Sequence, residues 1–151
     1  MTTDASPINL SVLRERWHNL CFVCGKDNHN GLGLDFKISP NGGIETAFVP
    51  RAQHQGFPGR LHGGVISAAL DAAMINLLFS KGIVAVTAEL TVRFVAPVAL
   101  NRQAKIKADI TEEWDPDYAL QRAKAELIQE DKVVARATGK FFKMKEAHEK
   151  R

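Results

Sequence analysis

Apolar and polar positions change their period along this chain, and each change marks an element. From Gly64 to Ser80 the residues are apolar nearly all round, interrupted by Asp71 and Asn76. Such a helix is enclosed by protein rather than lying on a surface. Lys81-Gly82 closes it with a cation and a glycine. Alternation then takes over. Val84 to Val95 sets Val84, Val86, Ala88, Leu90, Val92 and Phe94 against Ala85, Thr87, Glu89, Thr91 and Arg93, the period of a strand. Ala104 to Thr111 alternates Ile106, Ala108 and Ile110 with Lys105, Lys107 and Asp109. Trp114-Asp115-Pro116-Asp117 reads as a turn, and Tyr118 to Gln129 with Lys132 to Met144 as a hairpin around Glu130-Asp131.

Ahead of the buried helix, Pro7 to Trp17 has the spacing of a short amphipathic helix, and Cys21 to Gly33 is a loop rich in Gly and Asn. Leu34 to Ile38 alternates as a strand does, and Pro40-Asn41-Gly42-Gly43 is a tight-turn signal that folds Ile44 to Val49 back as a hairpin. Pro50 to Leu61 is a loop, and Lys145 to Arg151 a charged tail. This order predicts an α+β fold, a curved antiparallel sheet wrapped around one central helix. The expected division is a helical extension over 1–20, a single domain over 21–145 and a tail over 146–151.

With 151 residues, 45% hydrophobic and 25% charged, the chain is an ordinary one-domain globular protein. Its net charge of +3 suits an anionic small ligand and falls short of the dense basic face that nucleic acid calls for. No signal peptide and no membrane span are expected, since Met1 to Ser6 is polar and Asp71 and Asn76 break the longest apolar run. Two cysteines without a secretion signal suggest a reducing cytoplasm.

The candidate chemistry sits where the buried helix begins, at Leu61-His62-Gly63-Gly64. Glycine is a poor helix former, but at a helix start it lets a ligand approach free N–H groups and the positive end of the helix dipole. One reading makes the Gly64 N–H, with Gly63 beside it, an oxyanion-type donor to a thioester or ester carbonyl; the other is a tight turn needing glycine for steric reasons. Asp71 lies among Ala68-Ala69-Leu70 and Ala72-Ala73-Met74. Desolvation there raises a carboxyl's pKa, which suits a general base, and attack as a nucleophile is the alternative. Gly64 and Asp71 share a helix face but stand ~10 Å apart along the axis. Two antiparallel copies of the helix in a homodimer would bring Gly64 of one chain to Asp71 of the other.

His62 is read as a positioning residue, and Thr87 as a holder of the attacking water, with Glu89 and Thr91 on the same strand face. His54 and Gln55 are candidates to line the acyl pocket, and Arg93, Arg60 and Lys81 are cations able to meet phosphates. Cys21-Phe22-Val23-Cys24, flanked by His18 and His29, is half of a zinc motif. No βαβ unit surrounds it, so packed thiols are the expectation, with no metal and no cofactor.

Phe57-Pro58-Gly59-Arg60-Leu61-His62-Gly63-Gly64-Val65-Ile66, with Asp71 nine residues after the histidine, resembles the hotdog-fold acyl-CoA thioesterases of the phenylacetate-degradation (PaaI-like) type. So do Thr87 to Pro97 and the run Cys21 to Asn28 followed by Gly31-Leu32. The resemblance implies the hotdog fold, metal-free hydrolysis of an acyl-CoA to acid and CoA, and a dimer, often a dimer of dimers, with sites at the subunit interface. By resemblance Gly64 polarises the carbonyl, Asp71 activates water or attacks, His62 positions and Thr87 holds water. Many members with Cys-Phe-x-Cys carry Asp-Glu where this chain has Asp71-Ala72. Two other functions fit the same fold: an acyl-CoA-binding module without turnover, and a hydratase or dehydratase. Against the latter, Gly56 stands where the dehydratases carry a catalytic histidine.

Overall fold

The computed structural model describes residues 5–111, 115 and 117–144. The charged tail and most of the turn around Trp114 lie outside them. The elements run α1 (Pro7–His18), β1 (Lys37–Ile38), β2 (Ile44–Phe48), α2 (Gly63–Ser80), β3 (Ala85–Phe94), β4 (Ala104–Ile110), β5 (Leu120–Gln129) and β6 (Lys132–Lys143). One antiparallel sheet has the order β1-β2-β4-β5-β6-β3. The chain therefore crosses from one end of the sheet to the other through α2, which packs against β2 to β6. This is the expected α+β arrangement and the hotdog fold.

Local chemistry accounts for the ends of the elements. Ser6 caps α1 through its side chain, with Pro7 at the first helical position. Gly82, with φ of +76°, closes α2 by donating to Phe79 O. Glu130 and Asp131 both have positive φ, as a two-residue hairpin turn between β5 and β6 requires. The predicted strand at Leu34–Ile38 shrinks to Lys37–Ile38. Leu34 and Phe36 still point inward, but the segment is held by α1, where Arg14 donates to Phe36 O, and by the preceding loop, where the Leu34 N–H donates to Val23 O.

By length and apolarity α2 would pass for a membrane-crossing helix, yet 67% of it is buried inside the fold. The C-terminal half, Ala72 to Ser80, is buried throughout. The N-terminal half keeps one partly open stripe along Gly64, Ser67, Ala68 and Asp71, the spacing of a single helix face. That stripe departs from enclosure on every side, and it carries the one carboxylate of the helix.

Candidate active site

The loop before α2 is built to deliver His62 to the helix start. Ala52–His54 makes a 3-10 turn, and the His62 N–H donates to His54 O. Gln55 pairs with Leu61, and its Oε1 accepts from the Gly59 N–H. His54 and Gln55 thus hold the loop. His62 is the N-cap of α2, with extended backbone at φ −61°, ψ 134°. Its Nδ1 accepts from the Gly64 N–H at 2.8 Å. An imidazole accepting at Nδ1 carries its proton on Nε2.

That cap bears on the donor expected from the sequence. The Gly64 N–H is engaged by His62, so Gly64 becomes available only if the cap opens. The Gly63 N–H has no acceptor among the described residues. Gly63 itself lines a cavity of about 930 Å³ together with Phe57, Leu61, His62, Ile66, Phe94 and Val98. A Cβ on Gly63 would stand 3.5 Å from the Phe94 ring, an ordinary contact. An apolar cavity beside an unpaired N–H at a helix N-terminus suits a polarised carbonyl with an acyl tail.

Asp71 lies two turns further along and outside that cavity. It is half-buried, and its Oδ1 accepts from the Thr87 hydroxyl at 2.7 Å. Burial pushes its carboxyl above the ordinary value of 3.8. The Thr87 hydrogen bond and the nearby His18 oppose that rise, while Cys21 adds to it.

Thr87 reaches Asp71 through an irregularity the sequence does not signal. In the pairing of β3 with β6, Thr87 stands opposite Phe141 and Glu89 opposite Lys140, leaving Ala88 as an extra residue. This β-bulge reverses the alternation. Thr87 faces the helix together with Leu90, Val92 and Phe94, and Glu89 turns outward to an ion pair with Lys140. The predicted faces of β3, with Thr87 beside Glu89 and Thr91, are corrected here. Arg93, between Val92 and Phe94, goes to the outer face opposite Arg136 and does not line the cavity.

His18, Cys21 and Cys24 converge beside this carboxylate, which feels both His18 and Cys21. Both cysteines are free thiols. The Cys24 thiol donating to Cys21, helped by His18 and two backbone N–H groups, holds the Cys21 thiol far below its usual range. Sequence spacing contains the signal, since His18 precedes Cys21 by about one turn, but it does not say that α1 brings the ring onto the sulfurs.

Residues 58–113 match the family model of the thioesterase superfamily. The chain has the hotdog fold, and this segment of it is similar to that superfamily. No functionally curated protein matches the sequence. Among solved structures, the chain is similar to the Escherichia coli PaaI protein from the phenylacetic acid degradation operon, with 21% identity, TM-score 0.71, and 89% of this chain and 95% of that one covered. It also resembles a thioesterase superfamily protein at 21% identity and TM-score 0.71, where 78% of this chain spans 60% of a longer one. A third is a Streptococcus mutans protein bound to acetyl-CoA, at 18% identity and TM-score 0.66, with 74% and 88% covered. At these identities the likeness is one of fold. Ala72, beside Asp71, has its side chain buried in the core, away from the open stripe that carries Asp71.

Proposed function

We propose that this hotdog-fold protein hydrolyses an acyl-CoA thioester to the free acid and CoA at sites shared across a homodimer. The observation that carries this reading is the pair of groups in the N-terminal half of α2. Gly63, whose N–H has no acceptor among the described residues, lines an apolar cavity, and a half-buried Asp71 is held by Thr87.

The Gly63 N–H and the helix dipole polarise the thioester carbonyl. Asp71 takes a proton from a water that attacks the carbonyl carbon, and the C–S bond breaks to release the CoA thiolate, which regains a proton. In the covalent variant Asp71 itself attacks, and water then cleaves the mixed anhydride. His62 positions the helix start by capping it. Thr87 orients the carboxylate, where the sequence reading had it hold the water. Gly64 was the donor expected from the sequence, and its bond to His62 favours Gly63.

Eight residues of helix separate Gly63 from Asp71 by about 12 Å, too far for both to act on one carbonyl. A second copy supplies the missing partner. Among the described residues β3 is an edge strand paired only with β6, and Val86, Phe94 and the adjoining Val95 are exposed. A long edge with such residues is suited to pairing with another strand. Pairing two β3 edges about a two-fold axis would set the open stripes of two α2 helices against each other. Association of two such dimers follows from the resemblance alone, and a cytoplasmic setting is proposed from the two free thiols. CoA as the acyl carrier draws on the CoA-bound neighbours.

The test is CoA release, followed with a thiol reagent, over short, long and aromatic acyl-CoAs. Turnover of at least one supports hydrolysis. Tight binding of all with no release supports the binding module, and hydration of an enoyl-CoA without CoA release supports the hydratase.

Thr87→Val removes the hydrogen bond that opposes the rise in the Asp71 pKa. The base must be ionised to work, so the midpoint of kcat/KM against pH moves upward in this variant. An unmoved midpoint would detach Thr87 from the working carboxylate.

A further inference from the structure

The cluster at the end of α1 is independent of the hydrolytic reading. We propose that His18, Cys21 and Cys24 form a binding site for a thiolate-seeking divalent metal, Zn²⁺ being the fitting ion. One ligand atom from each residue lies within 4.8 Å of the other two. His18 Nδ1 is 3.5 Å from Cys24 Sγ. That matches the edge of a tetrahedral centre, about 3.5 Å for Zn–S of about 2.3 Å and Zn–N of about 2.0 Å.

The surroundings hold each donor in place. The His18 ring sits edge-on to Phe79, at 5.0 Å and 89°. The Val23 N–H donates to Cys21 Sγ, and the buried Asn76 amide donates to Cys24 Sγ, both at 3.4 Å. Outer partners of this kind are what orient metal ligands. Gly25 completes the turn. Its N–H bonds Cys21 O at 2.8 Å, and any Cβ there would run into the Cys21 backbone. Thiols that merely fill space need none of this.

Two sulfurs and an imidazole select zinc over magnesium or calcium, which prefer oxygen. Three protein donors leave a fourth position to water. An ion here ties the end of α1 to the Cys21–Gly25 turn and, through Asn76, to α2. The expectation of packed thiols without metal counted His18 only as a flanking residue, whereas α1 brings its ring to 3.5 Å from Cys24 Sγ.

The experiment uses the reduced full-length protein, stripped with a chelator and titrated anaerobically with Co²⁺. The expected result is one equivalent bound per chain, with thiolate-to-cobalt charge transfer and the visible bands of a tetrahedral centre, both bleached by Zn²⁺. Cys24→Ser loses the charge-transfer intensity. His18→Gln, checked for folding by circular dichroism, weakens cobalt binding ~10-fold or more. Zn²⁺ raises the Tm of the stripped wild type and leaves that of His18→Gln much less changed. Absence of the charge-transfer band in reduced wild type with excess Co²⁺ overturns the proposal. So does a band that survives unchanged in Cys24→Ser.

Discussion

CoA release by the Asp71→Asn protein is expected to fall ~100-fold or more below wild type, the range lost with a general base, while the fold is retained. Asparagine keeps an oxygen to accept the Thr87 hydroxyl that now lies at 2.7 Å, so the geometry survives and only the ionisable group is lost. Stability gives an independent check on the carboxylate. Burial raises the Asp71 pKa in the folded state above 3.8. Between 3.8 and the raised value the folded chain holds a proton that the unfolded chain has released. Stability contributed by Asp71 is therefore lost as pH rises through that window. Asp71→Asn lacks this dependence. Melting curves of the two proteins against pH should diverge there, with the variant relatively more stable on the alkaline side. Parallel curves would mean that Asp71 is not desolvated as described.

Gly63→Pro is the second large effect. The substitution removes one N–H and adds a ring whose Cβ would stand in ordinary contact with Phe94, 3.5 Å away. Proline is at home in the first helical position, and His62 already has the extended backbone that a residue before proline adopts. No internal hydrogen bond of the helix is lost, because the Gly63 N–H has no acceptor among the described residues. We expect a Tm close to that of wild type and a kcat reduced ~100- to 1,000-fold, the cost of one oxyanion donor. Gly64→Ala probes the competing assignment. It keeps the N–H, and its Cβ would meet the His62 ring at about 3.0 Å, so the cap must shift. A kcat lowered by Gly63→Pro and little changed by Gly64→Ala favours the donor at Gly63.

The difference between legible and illegible features follows from their physics. Periodicity reports burial, so α2, the long strands and the β5–β6 turn at Glu130-Asp131 could be read from the chain. The Leu34–Ile38 alternation also reported burial correctly, but pairing depends on a neighbour that only the tertiary fold provides. The position of Asp71 among apolar residues forecast its raised pKa. The faces of β3 were misread because one extra residue at Ala88 reverses every side chain before it, and nothing in Thr87-Ala88-Glu89 marks the bulge. Choosing between adjacent glycines needed the His62 rotamer, since capping consumes one N–H and leaves the other open. Arg93 was a candidate by charge alone, and strand parity places it on the far face.

The shared site is the central claim, and subunit mixing tests it most directly. Gly63→Pro and Asp71→Asn homodimers are each prepared, then unfolded and refolded together in equal amounts. If each site takes Gly63 from one chain and Asp71 from the other, a mixed dimer contains one fully wild-type site and one doubly altered site. Random pairing then restores about a quarter of wild-type CoA release from two nearly inactive proteins. If each site is built within one chain, every site in the mixture keeps one defect. Activity staying at the level of the separate variants would contradict the account.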